Sequence, residues 1–209
     1  YKKDYSVFDL KISIPGEKTK IIKKIRLNLI GSHNILNSVA AISLCLHIGI
    51  NIRIIKKSLK SFSGIQRRLT KYFNFKGKEF FDDYAHHPTE IKSVLKSLKL
   101  TSNDRKIISV FQPHRYSRLK LLYKDFSSSF KDSDIVVLCP VYAAGEKTDK
   151  KYDPIHFAKS ITQHSKVQVI LVNNQNDLNN FFKKNLIENE IVICMGAGSI
   201  SKWLREMKF

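Results

Sequence analysis

Three carboxylates and two imidazoles crowd into the stretch Asp82-Asp83-Tyr84-Ala85-His86-His87-Pro88-Thr89-Glu90. Imidazole exchanges protons near neutral pH, and a carboxylate beside it can orient it or accept hydrogen bonds. Glu79-Phe80-Phe81 just ahead reads as the end of a strand. Pro88 suits the first turn of a helix, expected over 89–100 with Ile91, Val94, Leu95 and Leu98 on one face. The polar groups therefore fall at a strand end and a helix N-terminus, where open α/β sheets bind ligands and where anions are favoured. The same residues also read as an ordinary polar connection with Asp as a local cap.

Further polar exceptions recur downstream. Phe111-Gln112-Pro113-His114-Arg115-Tyr116-Ser117-Arg118 places two guanidiniums three residues apart at an expected helix start, a spacing that would put them on one face and suits bidentate binding of carboxylate or phosphate; solvated arginines are the alternative. Val141-Tyr142-Ala143-Ala144-Gly145-Glu146 follows a third apolar run. Gly196-Ala197-Gly198-Ser199 resembles a dinucleotide fingerprint, but Ser201 stands where the third glycine belongs, so a tight strand-to-helix turn is expected. In Gly16-Glu17-Lys18-Thr19 and Gly145-Glu146-Lys147-Thr148 a Glu separates Gly from Lys, which excludes a Walker A loop. No GxSxG elbow is present. His86, His87 and His114 with Asp82 or Asp83 match no closed zinc pattern. Near the start, His33, Asn34 and Asn37 share one helical turn; their amides could read an adenine edge, or Asn34 could simply cap the helix.

The elements that must position these groups follow from periodicity. Alternating residues over 5–14 and 21–29, around the turn signal Pro15-Gly16-Glu17, predict a hairpin. A helix opening at Gly31 and running to Gly49 carries apolar residues on most sides and is expected to be mostly buried. Asn51 is expected to cap an amphipathic helix over 52–62. A domain boundary is placed near Gly64. Beyond it come two short strands within 69–81, then strands at 106–111, 135–140, 167–172 and 190–194, separated by helices at 116–130, 154–163, 175–186 and 199–207. Short apolar strands alternating with helices predict an α/β unit with a largely parallel sheet covered on both faces.

Composition narrows the field. At 43% hydrophobic and 26% charged, the 209 residues are ordinary for a folded protein. The formal charge of +19 comes from 37 Lys+Arg against 18 Asp+Glu. Only eight of those cations are Arg, and the lysines are spread over every segment, the pattern of an AT-rich coding bias; neither a nucleic-acid module nor a clustered basic stripe is present, so nucleic acid is not expected as a partner. No apolar run is long enough to cross a membrane and no signal-peptide pattern opens the chain. Cys45, Cys139 and Cys194 lie in apolar patterns without metal spacing, as reduced core residues of a cytoplasmic protein would. The chain opens on Tyr1 rather than Met and enters a strand pattern directly, as expected of the later part of a longer polypeptide.

Taken together and in order, Gly31-x-His33-Asn34-x-x-Asn37, Arg67-Arg68, DDYAHHPTE, FQPHRYSR, VYAAGE and GAGSI resemble the Mur ligase family across essentially the whole chain. The resemblance is strongest to members that join L-alanine to UDP-N-acetylmuramic acid; members that recycle murein tripeptide carry a similar HHP segment. It implies that residues 1–64 are the tail of a P-loop-type central ATPase domain and residues 65–209 a C-terminal Rossmann-like domain. The UDP-binding domain, the P-loop lysine and the magnesium ligands have no counterpart in these 209 residues. The implied reaction makes an acyl phosphate from ATP and the muramoyl carboxylate, which the alanine amine attacks. By position, His33 and Asn37 would contact adenine, Arg68 the ATP phosphates, and Asp83 the ribose or phosphate region. His86 would face the acyl phosphate, while Tyr84, His114, Arg115 and Arg118 would bind the amino acid. Tyr142 and Glu146 would lie near the site, and Asp82, His87 and Glu90 would be structural. A nucleotide-binding remnant without chemistry and a non-catalytic basic module are the competing readings.

Overall fold

Alternation of side chains makes the first element a ribbon. In the computed structural model, which describes residues 5–13, 16 and 18–207, β1 (Ser6–Ile12) pairs antiparallel with β2 (Lys20–Leu27), Ser6 opposite Leu27 and Ile12 opposite Lys20. Ile14, Pro15 and Glu17 of the anticipated turn lie outside the described residues. Helix α1 (Ser32–His47) and helix α2 (Ile52–Ser61) follow, and the Asn51 side chain caps α2 by accepting from Arg53 N at 2.8 Å. Ile25, Ile42 and Ile55 form the core of this unit, residues 1–64.

Helix α1 departs from expectation. Only Asn34, Ser38 and Ile42 are buried along it, at four-residue intervals, while Leu36 and Leu44 are 68% and 63% exposed. A two-stranded ribbon and one short helix cover a single stripe of a helix, so the apolar residues on its other sides stay uncovered. Asn34 does not cap it: its Nδ2 donates to Ile30 O at 2.8 Å, and Gly31 occupies the cap position.

Residues 65–209 form a second compact unit. Its elements are β3 (Thr70–Phe75), β4 (Lys78–Asp83), α3 (Pro88–Thr101), β5 (Ile107–Phe111), α4 (Tyr116–Leu121), α5 (Tyr123–Ser127), β6 (Ile135–Leu138), α6 (Pro154–Ser165), β7 (Gln168–Leu171), α7 (Gln175–Asn185), β8 (Ile191–Met195) and α8 (Ile200–Arg205). The six strands run β3-β4-β8-β5-β6-β7; β3 and β4 are antiparallel and every other pairing is parallel. Alternation along the strands feeds two cores, one on each face. On β8, Ile191, Ile193 and Met195 join the first with Phe111, Leu95 and Phe157, while Val192 and Cys194 join the second with Phe80, Val137 and Phe182. Cys139 and Cys194 are both buried in this second core, and burial pushes both thiols well above their ordinary range.

The helix anticipated over 116–130 is broken at Leu122, whose backbone (φ −110°, ψ 24°) separates α4 from α5. The bend swings Phe126 and Phe130 onto Phe111, with ring centroids 5.6 and 5.3 Å away, and leaves Leu121 at the surface. Ser127, Ser128 and Ser129 each donate a hydroxyl back to a carbonyl three or four residues earlier, at 2.8, 3.1 and 2.6 Å, which competes with continued helix. Among the described residues no helix is long and apolar enough to cross a membrane.

Insertion of β8 between β4 and β5 decides what meets at the sheet's carboxyl edge. The ends of β4, β8, β5 and β6 stand side by side, so the polar exceptions at Asp83, Gly196, Gln112 and Tyr142 become neighbours.

Candidate functional site

At the end of β4 the two aspartates serve different ends. Asp83 is 1% exposed, and its carboxylate accepts from Leu69 N at 2.6 Å and from Ala85 N at 2.7 Å. It thereby ties the segment before β3 to the loop that carries His86. Burial pushes its pKa up to about 6 against the pull of those two amides and of the Arg68 charge. Because this value lies above the 3.8 of an ordinary aspartate, the native chain holds the proton more tightly than the unfolded one. The contribution of Asp83 to stability is therefore fullest below pH 4 and declines as pH rises to 6. Urea midpoints of the wild-type chain and of Asp83→Asn should differ by an amount that shrinks between pH 4 and pH 6 and is level above 7; a difference that grows over that range would refute the assignment.

Asp82 accepts from Ser201 Oγ at 2.5 Å and lies 3.9 Å from Arg67 Nε. Arg67 in turn donates from Nη2 to Gly196 O at 2.5 Å, stacks its guanidinium 4.6 Å over the Tyr84 ring, and accepts from Tyr84 N at 2.8 Å. This arginine fastens the β4 loop to the turn after β8. The resemblance carries Arg68 to the ATP phosphates and gives Arg67, the other half of the same doublet, no role of its own; the signal for it is an arginine doublet ahead of a strand that ends in two acids. Arg68 itself is exposed, presented between Arg67 (φ 61°) and Leu69 (φ 48°), both in left-handed backbone.

The histidines divide the work. His87 caps α3, its Nδ1 accepting from Thr89 N at 3.3 Å, and Glu90 Oε2 closes the box by accepting from His86 N and His87 N at 3.0 and 3.1 Å. The cap is thus an imidazole and a glutamate, not an aspartate. His86 Nδ1 lies 2.9 Å from Tyr84 O. A carbonyl only accepts, so that nitrogen carries the hydrogen, and whenever the ring is neutral its lone pair is on Nε2.

At the end of β5, His114 takes the opposite tautomer. Its Nδ1 is 3.1 Å from Arg118 Nη1, and a guanidinium only donates, so Nδ1 is the acceptor and Nε2 carries the hydrogen. Burial, then the charge of Arg118, His86 and Arg115, hold this imidazole below its ordinary range, which keeps it neutral. Its ring stacks on Tyr142 at 5.6 Å and meets the His86 ring at 5.8 Å. Glu146 accepts from Ser117 N at 3.2 Å and from Ser117 Oγ at 2.5 Å, fixing the first turn of α4, and the Ser117 hydroxyl holds its carboxyl below the usual range.

Arg115 does not share a helical face with Arg118. It occupies the cap position of α4 with φ 70° and ψ 133°, a conformation that costs a non-glycine residue about 1–3 kcal/mol. Arg115→Gly relieves that strain and gives back part of it as added freedom of the unfolded chain, for a net gain of about 1 kcal/mol. Arg115→Ala keeps the strain. Equal urea midpoints for the two variants would contradict this account.

The glycines of the β8–α8 turn make room for neighbours. A Cβ at Gly196 (φ 152°) would stand 2.8 Å from Gln112 O, and one at Gly198 2.5 Å from Tyr142 Cγ. Gln112 Oε1 accepts from Ile200 N and its Nε2 donates to Ser199 Oγ, both at 3.0 Å, locking the end of β5 to the start of α8. The turn is therefore tight and closely packed against Gln112 and Tyr142.

The structure brings Tyr84, His86, His114 and Arg118 together along one sheet edge, with Asp83 beneath and Arg68 and Arg115 exposed beside it. Asp83, anticipated at a nucleotide, has both oxygens engaged by the main chain. His33, half-buried, and Asn37, exposed, lie one turn apart on α1 in the first unit. No group of three or more His, Cys, Asp or Glu side chains among the described residues is arranged to hold a metal ion.

The chain is 49% identical over 206 residues to a UDP-N-acetylmuramate–L-alanine ligase of Pelagibacter ubique, covering 99% of this chain and 44% of that protein. It is 40% identical over 215 residues to the ligase of the same name from Rickettsia canadensis, covering 97% and 43%. The chain thus spans less than half the length of the curated relatives it matches. Among solved structures, UDP-N-acetylmuramate-alanine ligase MurC of Thermotoga maritima superposes with a TM-score of 0.74 at 24% identity, over 98% of this chain and 45% of that one. A murein peptide ligase of Psychrobacter arcticus does so with a TM-score of 0.69 at 19% identity, over 98% and 43%. Both share the fold. The family model described as "Mur ligase, glutamate ligase domain" matches residues 67–198, from the arginine that fastens the β4 loop to the glycine that packs under Tyr142, and with more than half of the sequence so matched the chain belongs to the Mur ligase family.

Proposed function

We propose that this chain is the later part of a cytoplasmic, ATP-dependent ligase that joins L-alanine to UDP-N-acetylmuramic acid in peptidoglycan precursor synthesis. The observation that carries the reading is the meeting of two imidazoles in opposite tautomers beside the Arg118 guanidinium, within the segment most like ligases of that name. A cation and an N–H donor suit a carboxylate, and a lone pair 5.8 Å ring-to-ring away suits an amine, so the edge offers an amino acid both its complements.

In the reaction, a muramoyl carboxylate oxygen attacks the γ-phosphorus of ATP and ADP leaves. The alanine nitrogen then attacks the acyl carbon, expelling inorganic phosphate and losing a proton. Such chemistry needs positioning and charge stabilisation more than covalent help. Arg118, Arg115 and His114 would hold the alanine carboxylate, Tyr84 would flank it, and His86 would present Nε2 toward the amine and the acyl phosphate. Arg68 would meet the ATP phosphates, with His33 and Asn37 at the adenine. Asp83 we read as the brace that holds Arg68 and His86 in place. At this edge Asp83 is engaged by two main-chain amides, and Asp82 by Ser201 on one oxygen with the Arg67 charge 3.9 Å from the other, so the pair does not fit a magnesium site; the ion that accompanies ATP would be held by residues of the longer polypeptide. Neither nucleic acid nor membrane enters the reading.

The test is phosphate release by the complete ligase with ATP and magnesium. Release should require both L-alanine and UDP-N-acetylmuramic acid. Release that instead requires a murein tripeptide, or no release with either, would overturn the assignment.

A further inference from the structure

Four rings stand in a row across the strand ends. Tyr84 meets His86 at 5.1 Å, His86 meets His114 at 5.8 Å, and His114 lies on Tyr142 at 5.6 Å with only 18° between their planes. The first two contacts are edge-on, so they bound the rings without fixing the His114 plane; the nearly parallel stack on Tyr142 is the contact that does. Tyr142 is itself well placed to hold still. Its N donates to Pro113 O at 2.8 Å, its O accepts from Arg115 N at 2.9 Å, and the bare Cα of Gly198 backs its ring, leaving no space for even a methyl group between them.

We propose that Tyr142 is a positioning residue for amino-acid binding: its ring, backed by Gly198, holds the His114 plane in which Nδ1 accepts from Arg118, and so fixes the guanidinium that receives the carboxylate. The inference rests on the ligase reading for the identity of the ligand but not for the coupling between Tyr142, His114 and Arg118. A long arginine side chain loses much rotamer freedom when it is ordered. An acceptor of fixed direction at its head removes that cost before the ligand arrives. His114 must stay neutral to accept, and the groups around it are Arg115 and Arg118 at α4, His86 from the β4 loop, and Glu146 and Tyr142 from the segment after β6.

Nitrogen-15 NMR of histidine in this 209-residue chain reads the coupling directly. Wild type and Tyr142→Phe should show the His114 tautomer with Nδ1 unprotonated. Tyr142→Leu should show a mixture and a titration moved up toward that of free histidine. Tyr142 is 42% exposed, so the leucine variant keeps the fold, and unchanged amide spectra elsewhere verify it. In the complete ligase, Tyr142→Leu should raise KM for L-alanine about 3- to 10-fold, the span that loss of an ordinary aromatic pair corresponds to, with kcat and the KM for ATP unchanged and with Tyr142→Phe restoring the wild-type value. An unaltered His114 tautomer and titration in Tyr142→Leu overturns the coupling. An altered tautomer with an unaltered alanine KM overturns instead the placing of the amino acid at Arg118.

Discussion

Arg118→Ala in the complete ligase is expected to lower kcat/KM for L-alanine by roughly two orders of magnitude, almost wholly through KM, and to leave the KM for ATP as it was. A hydrogen bond to a charged group is worth about 1.5–3 kcal/mol, and a forked guanidinium–carboxylate pair makes two, so a loss near 3 kcal/mol follows after water partly replaces the fork. Each 1.4 kcal/mol is a factor of ten. A second effect adds to the first. Arg118 is the partner of His114 Nδ1 and, after burial, the main influence holding that imidazole neutral. In the alanine variant His114 therefore titrates higher, toward the ordinary range of an imidazole, and alanine binding should become more dependent on pH there than in the wild type. Arg118→Lys keeps a charge but not the fork and should recover about one of the two orders. An Arg118→Ala ligase with kcat/KM for alanine within threefold of wild type would remove Arg118 from the site.

Gly198→Ala should destabilise residues 65–209 by about 2–3 kcal/mol, the usual cost of an extra group forced into a packed place, and lower Tm by about 5–10 °C. The new methyl would stand 2.5 Å from Tyr142 Cγ, 2.7 Å from Tyr142 Cβ and 2.6 Å from Gln112 Oε1. None of the three can retreat freely. Tyr142 is held by main-chain bonds on both sides, and Gln112, 3% exposed, would leave Ile200 N and Ser199 Oγ without their partner if it withdrew. The cost at Gly198 is one of contact, whereas at Gly196 the backbone conformation adds its own. Calorimetric unfolding decides the matter: a Tm within 2 °C of wild type would mean that the turn opens at little cost.

The alternation of apolar strands and helices made the α/β architecture legible, because a parallel sheet buried on both faces demands continuous apolar runs such as Ile107–Phe111 and Ile191–Met195. The candidate edge was legible for a related reason: polar residues such as Gln112 and His114 stand out directly after such runs. What periodicity cannot carry is which strand lies beside which. The place of β8 between β4 and β5 is a tertiary choice, and with it went the pairing of Gln112 with α8 and of Arg67 with Gly196. Local chemistry also hid the break at Leu122, where core demand for Phe126 and Phe130 overrides a helical pattern that continues through the bend. Helix α1 shows the converse, an apolar pattern broader than the single stripe its neighbours cover. Asp83 stood out because its type suits a ligand; what only the geometry shows is that each of its oxygens also accepts from a main-chain amide.

The sheet order also bears on how the site comes into being. Strands β3 and β4 form one hairpin, and β5, β6 and β7 form a parallel trio, but no ladder joins β4 to β5 except through β8. His86 belongs to the first group and His114 to the second. Until β8 enters, each group carries an unpaired edge of apolar residues, Phe80 and Phe81 on one and Val110 and Phe111 on the other, of the kind that invites pairing with other chains. Closing that gap means pairing Asp82 and Val110 with Cys194, the contacts most distant in sequence within the sheet and so the last to be favoured by chain entropy. During synthesis the two imidazoles are therefore expected to ride on separate pieces, and the part of the edge that brings His86 to His114 is complete only once β8 has entered the sheet.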